Sequence, residues 1–208
     1  MKRLQKLLWL AALLLPLGAA TACSESDDEE AVEEFANWKD RNDAFFATLE
    51  DSLSRDAARW KKIKTYTKDE NTAGINTDYI YAKVMEVGSG DASPLYSDSV
   101  RIAYRGRLIP SVTYPQGYVF DQTFVGDYSI KTTSVLDGIV SGYVDGFTTA
   151  LQHMHRGDWW RVYIPYTLGY GAYTQGSVPA YSVLVFDLIL IDFISGNESF
   201  GPWGSRQF

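Results

Sequence analysis

Cysteine, histidine, positive charge and long apolar runs are all scarce in this chain of 208 residues. Cys23 is the only cysteine, so no disulfide can form within the chain. The two histidines, His153 and His155, are two residues apart, and on a helix such positions point away from each other, which argues against a shared metal. The apolar run over residues 7–15 falls well short of the roughly 20 residues that a membrane-spanning helix needs. Lys and Arg together number 19 against 26 Asp and Glu, and the net charge of −7 makes nucleic acid a poor partner. No Ser-His-Asp set and no pair of carboxylates stands out by spacing. The sequence Gly169-Tyr170-Gly171 is too short and wrongly placed for a phosphate loop. Metal, cofactor and nucleophilic chemistry therefore find no starting point here.

The amino terminus has a recognisable order. Lys2, Arg3 and Lys6 precede the apolar run, and Ala20, Thr21 and Ala22 lead directly to Cys23. Residues 1–22 read as a signal peptide. The residues before Cys23 resemble a bacterial lipobox, with Ala20 where leucine is usual. That resemblance implies lipidation of Cys23, anchorage to a lipid membrane, and a place in the bacterial cell envelope, with the outer membrane favoured. Cleavage there would remove three cations and take the charge from −7 to −10. Residues 23–30, rich in Ser, Asp and Glu, read as an acidic solvated tether.

Over residues 31–64 there is neither proline nor glycine, and Phe35, Trp38, Phe45, Leu49, Leu53, Ala57, Trp60 and Ile63 recur at steps of three and four. The spacing predicts an amphipathic helix, interrupted near residues 52–54, with Asn42 the one polar residue in its stripe. Acidic residues at its start and Arg59, Lys61, Lys62 and Lys64 at its end suit a helix dipole. A stripe holding two Trp and two Phe is too apolar to face water, so it either packs on its own domain or forms an interface, with a second copy as a homodimer or with another partner. With the polar stretch that follows, this makes a helical region and linker over residues 31–77.

Beyond it, residues 79–84, 99–104, 159–164 and 183–193 mix alternation with β-branched and aromatic residues and read as strands; the last is apolar enough to be buried on both faces. Phe147, Ala150, Leu151 and Met154 give a helical period over residues 146–155. Several antiparallel strands wrapped on one short helix is an α+β fold. Residues 195–208 form a glycine-rich tail.

Three ordered motifs lie within residues 78–194. Tyr104-Arg-Gly-Arg-Leu108 is followed by Val119-Phe120-Asp121. Next, Val144-Asp-Gly-Phe147 opens the helix, which leads through Ile164-Pro165 into Leu168-Gly-Tyr170-Gly171. Val178-Pro179 and Leu184-Val-Phe186 close the set. In order and spacing these resemble the FKBP-type peptidyl-prolyl cis-trans isomerases. The resemblance implies an FKBP-like antiparallel sheet around a short helix, isomerase activity without metal or cofactor, and proline-containing segments of exported proteins as partners. It places Tyr104, Phe120, Asp121, Phe147, Tyr170 and Phe186 as catalytic pocket residues, and Tyr143, Val144 and Val178 as substrate-binding ones. Phe147 stands where the family more often has tryptophan, and no aromatic occurs at Ser134, where the family offers a wall.

Overall fold

The structure, a computed structural model, describes residues 33–196 and 198–203. The signal peptide, Cys23 and the acidic tether expected over residues 1–30 lie outside the described residues. Chain order runs α1 (Trp38–Ala47), α2 (Leu49–Arg55), β1 (Trp60–Lys64), β2 (Tyr79–Glu86), β3 (Ser99–Arg107), β4 (Val119–Gln122), β5 (Leu136–Ile139), α3 (Asp145–Leu151), β6 (Trp159–Ile164) and β7 (Leu184–Ile194). The strands form one antiparallel sheet in the order β1-β2-β6-β7-β3-β4, with β5 paired to the other half of β3. This is the α+β, FKBP-like architecture that the sequence implies.

Register determines what each face of the sheet can hold. Ala82, Val162, Phe186 and Gly106 are paired across β2, β6, β7 and β3 and share the face that wraps α3. Helix α3 can come this close because residue 146 is glycine: a Cβ there would lie 2.3 Å from Ile164 Cγ2 and 3.1 Å from Ile80 Cγ2. Phe147, Ala150, Leu151 and Met154 complete a core with Ile80, Ile102, Leu188 and Leu190. The period that marks α3 in the sequence extends past its end. The helix stops at Leu151, and the His153 and Met154 amides tighten the last turn with bonds to Ala150 and Leu151.

The opposite face carries Tyr81, Tyr163 and Arg107 in register, and α1 and α2 cover part of it. Phe46 meets Tyr81 edge-on at 5.3 Å, and Phe45 lies 6.1 Å from Tyr163. Trp38, Phe46 and Leu49 are buried in this domain. Most of the aromatic stripe of the helical region is thus packed on its own domain, while Phe35 stays exposed. Asp187, almost fully buried on the same face, accepts from Arg161 at 2.6 and 3.2 Å and from Arg107 at 2.5 Å. A buried carboxylate requires such pairing to offset its loss of water.

Two expectations for residues 31–64 are corrected. The break falls at Thr48, whose hydroxyl donates back to the Phe45 carbonyl at 2.7 Å, rather than at residues 52–54. More importantly, helix ends at Arg55, and Trp60–Lys64 is the edge strand β1, paired from Trp60 opposite Lys83 to Lys64 opposite Tyr79. Its three lysines are edge-strand charges, not a helix terminus. The tail folds back as far as residue 203: Arg101 donates to the Gly201 carbonyl at 2.9 Å and lies 4.5 Å from the centre of the Phe200 ring.

Candidate functional site

A cavity of about 230 Å³ opens on the wrapped face of the sheet, at the amino-terminal end of α3. Its lining is Tyr104, Phe120, Asp121, Gly142, Tyr143, Val144, Phe147, Tyr170 and Phe186. Eight of the nine pocket residues named from sequence therefore meet in one place. Val178 does not line it; it is buried, and its backbone is bridged to Gln175. Gly142, which does, has no side chain to signal a role.

Each wall has a local cause. Phe147 sits in the first turn of α3, held at the bottom by the close approach of Gly146. Phe186 meets it edge-on at 5.0 Å and Tyr104 at 6.2 Å; Phe120 in turn meets Phe186 at 5.6 Å. These rings can converge because residue 106 is glycine. A Cβ there would lie 2.6 Å from Phe120 Cζ and 2.7 Å from Phe186 Cε1. Tyr143 lies over Phe147 at 4.8 Å, with its hydroxyl against Gly138 on β5. Edge-to-face rings at these separations add modestly to their burial and fix one another's orientation.

The polar groups are few and aimed. The Tyr104 hydroxyl donates to Asp121 at 2.6 Å, and burial, reinforced by that carboxylate, holds the Tyr104 phenol above its ordinary pKa. Tyr170 follows the short 3-10 turn Tyr166–Leu168, and burial, then the charge of Asp121, raises its pKa as well. Its hydroxyl has no hydrogen-bond partner among the described residues. Neither has the Val144 N–H, which caps α3 in extended geometry. The pocket thus offers two unoccupied donors, a carboxylate already bonded, and an aromatic lining. Among the described residues, no group of three His, Cys, Asp or Glu side chains is placed to hold a metal.

An antiparallel sheet wrapped on one helix, with an aromatic cavity at the helix amino terminus, defines the FKBP-like class. Residues 90–191 match the model of the FKBP-type peptidyl-prolyl cis-trans isomerase family and form a domain of that type. It is 37% identical over 112 residues to a macrophage infectivity potentiator of Trypanosoma cruzi, covering 53% of this chain and 51% of that protein. It is 29% identical over 147 residues to the FKBP-type isomerase FkpA of Escherichia coli K12, covering 70% and 49%. The chain thus spans about half the length of these relatives. The crystal structure of a peptidyl-prolyl cis-trans isomerase from Pseudomonas syringae superposes with a TM-score of 0.53 at 24% identity, covering 76% of this chain and 95% of that one.

The Tyr143 phenol is pushed up to about 12, by burial first and then by the charge of Asp137. Its folded-state pKa lies above the unfolded value near 10, so the stability it contributes is complete below pH of about 10 and is lost as pH rises toward 12. Urea denaturation at stepped pH should therefore show stability falling more steeply over that interval in the wild type than in Tyr143→Phe. Equal slopes would contradict the assignment.

Proposed function

We propose that this protein is a peptidyl-prolyl cis-trans isomerase acting on proline-containing segments of exported proteins. A prolyl amide is held planar by resonance, with a rotation barrier of about 18–20 kcal/mol, and no bond need be made or broken to cross it. Catalysis then requires only that the twisted amide bind better than either planar form. Twisting ends the resonance, so the carbonyl oxygen loses negative charge and the nitrogen regains lone-pair character. A site that strips water from the carbonyl disfavours the planar, more polar form relative to the twisted one.

The observation that carries this reading is the cavity itself, an aromatic floor and walls with the Val144 N–H and the Tyr170 hydroxyl as its two unoccupied donors. The proline ring packs on Phe147 between Tyr104, Phe120 and Phe186. The two donors take peptide carbonyls of the substrate on either side. Asp121, bonded to Tyr104, orients that wall and is not a general acid. Phe147 closes the floor with a ring that brings no N–H of its own, so orientation falls to the backbone donor and Tyr170.

An NMR exchange or protease-coupled assay on a prolyl tetrapeptide tests this. Wild type should accelerate isomerisation, and Phe147→Ala should lower kcat/KM at least about tenfold by removing the floor. Tyr170→Phe, losing one hydrogen bond near 1 kcal/mol, should lower it about fivefold. A wild-type rate equal to the uncatalysed one would leave a binding module that retains the groove without turnover.

The envelope location rests on the amino-terminal sequence. A leader followed by Cys23 implies diacylation, and more than one hydrocarbon chain is what stable anchoring requires. In a bacterial host, labelled palmitate should enter the wild-type chain and not Cys23→Ser. Equal labelling would remove the anchor from the account.

A further inference from the structure

The buried face of α1 carries one polar side chain, Asn42, and it is fully buried. Its Oδ1 accepts from the Val183 N–H at 2.8 Å, and its Nδ2 donates to the Trp38 carbonyl at 2.7 Å. One turn earlier, the Trp38 indole N–H donates to Ser182 Oγ at 2.8 Å, and that hydroxyl donates to the Pro179 carbonyl at 2.7 Å. Lys39 lies 5.7 and 5.8 Å from the ring centres of Tyr166 and Tyr181, which meet each other edge-on at 5.2 Å. Three side chains of one helix therefore grip residues 179–183 from outside the pocket.

The segment they grip is strained and connected to the site. Tyr181 has φ 62°, a left-handed conformation that a non-glycine residue keeps only when its surroundings over-determine it. Its N–H donates to the Gly171 carbonyl at 2.9 Å, and the Gly171 N–H donates to the Tyr166 carbonyl at 2.8 Å. The residue before Gly171 is Tyr170, whose hydroxyl rims the cavity. Packing alone does not explain Asn42, since leucine would fill the same space without the cost of burying an amide.

We propose that Asn42, together with Trp38, is a positioning residue for the prolyl site. It clamps residues 179–183 so that the Tyr181–Gly171 bond holds the Tyr170 hydroxyl at the pocket rim. The inference rests on the isomerase reading and adds the amino-terminal helix to the substrate-binding apparatus. Because the hydroxyl grips the peptide rather than the rotating bond, the clamp acts chiefly on KM.

Asn42→Leu keeps the branched shape with a somewhat larger apolar side chain and removes both hydrogen bonds. In the full chain it should raise KM for a prolyl tetrapeptide about three- to fivefold, up to the loss seen on removing the Tyr170 hydroxyl itself, with a smaller change in kcat. In a Tyr170→Phe background the same change should add less than about twofold, because both substitutions remove one and the same contact. A full additive penalty in both backgrounds, or an unchanged KM in folded Asn42→Leu, overturns the proposal. Should Asn42→Leu fail to fold, Ser182→Ala removes the Trp38 tie together with the hydroxyl's bond to the Pro179 carbonyl, leaves Asn42 in place, and should raise KM about two- to threefold, again only while Tyr170 is present. Absence of catalysis in wild type would instead reject the isomerase reading. The clamp is then read from the Tyr170 ring resonances, which must shift in Asn42→Leu or Ser182→Ala; unshifted resonances overturn it.

Discussion

The contact between α3 and the wrapped sheet is the constraint on which the site depends. Gly146 leaves no room for a Cβ against Ile164, so the helix lies as near the strands as a backbone can. That approach puts Phe147 at the base of a cavity rather than in a filled core. It also leaves the helix amino terminus, with the Val144 N–H, open at the cavity edge. Gly106 does for the walls what Gly146 does for the floor, letting Phe120 and Phe186 converge. Close backbone approach and edge-to-face rings fix the lining side chains against one another, which suits the proposed catalysis by shape and desolvation.

Much of this was legible in the sequence, for identifiable reasons. β2, β3, β6 and β7 are central strands whose apolar residues alternate or run together. The pocket residues stand in ordered motifs, so the topology brings distant segments to one place. What failed to show was carried by backbone and by edges. β1 has only Trp60 and Ile63 as large apolar residues, three apart, a spacing that also continues a helix, and its lysines suited a helix end. Only its pairing with β2 distinguishes the two. The break at Thr48 depends on one hydroxyl returning to its own helix. Gly142 contributes no side chain, and Val178 lies behind the lining.

The two faces of the sheet divide the work. The wrapped face holds the apolar core and the cavity. The other face holds the Asp187 ion network and the two amino-terminal helices, whose aromatic residues are packed inward. Asn42, a polar interruption in an otherwise apolar stripe, becomes intelligible once its bond to Val183 is seen. It joins the second face to the loop that carries the rim of the first.

The central claim is that a prolyl peptide binds at the aromatic cavity through the Val144 amide and the Tyr170 hydroxyl. Titration of the isotopically labelled protein with a short prolyl peptide, followed by amide and aromatic NMR shifts, tests it most directly. The account predicts saturable shifts concentrated at Val144, Phe147 and Tyr170. Saturable shifts that leave these three residues untouched, or no binding at millimolar peptide, would contradict it.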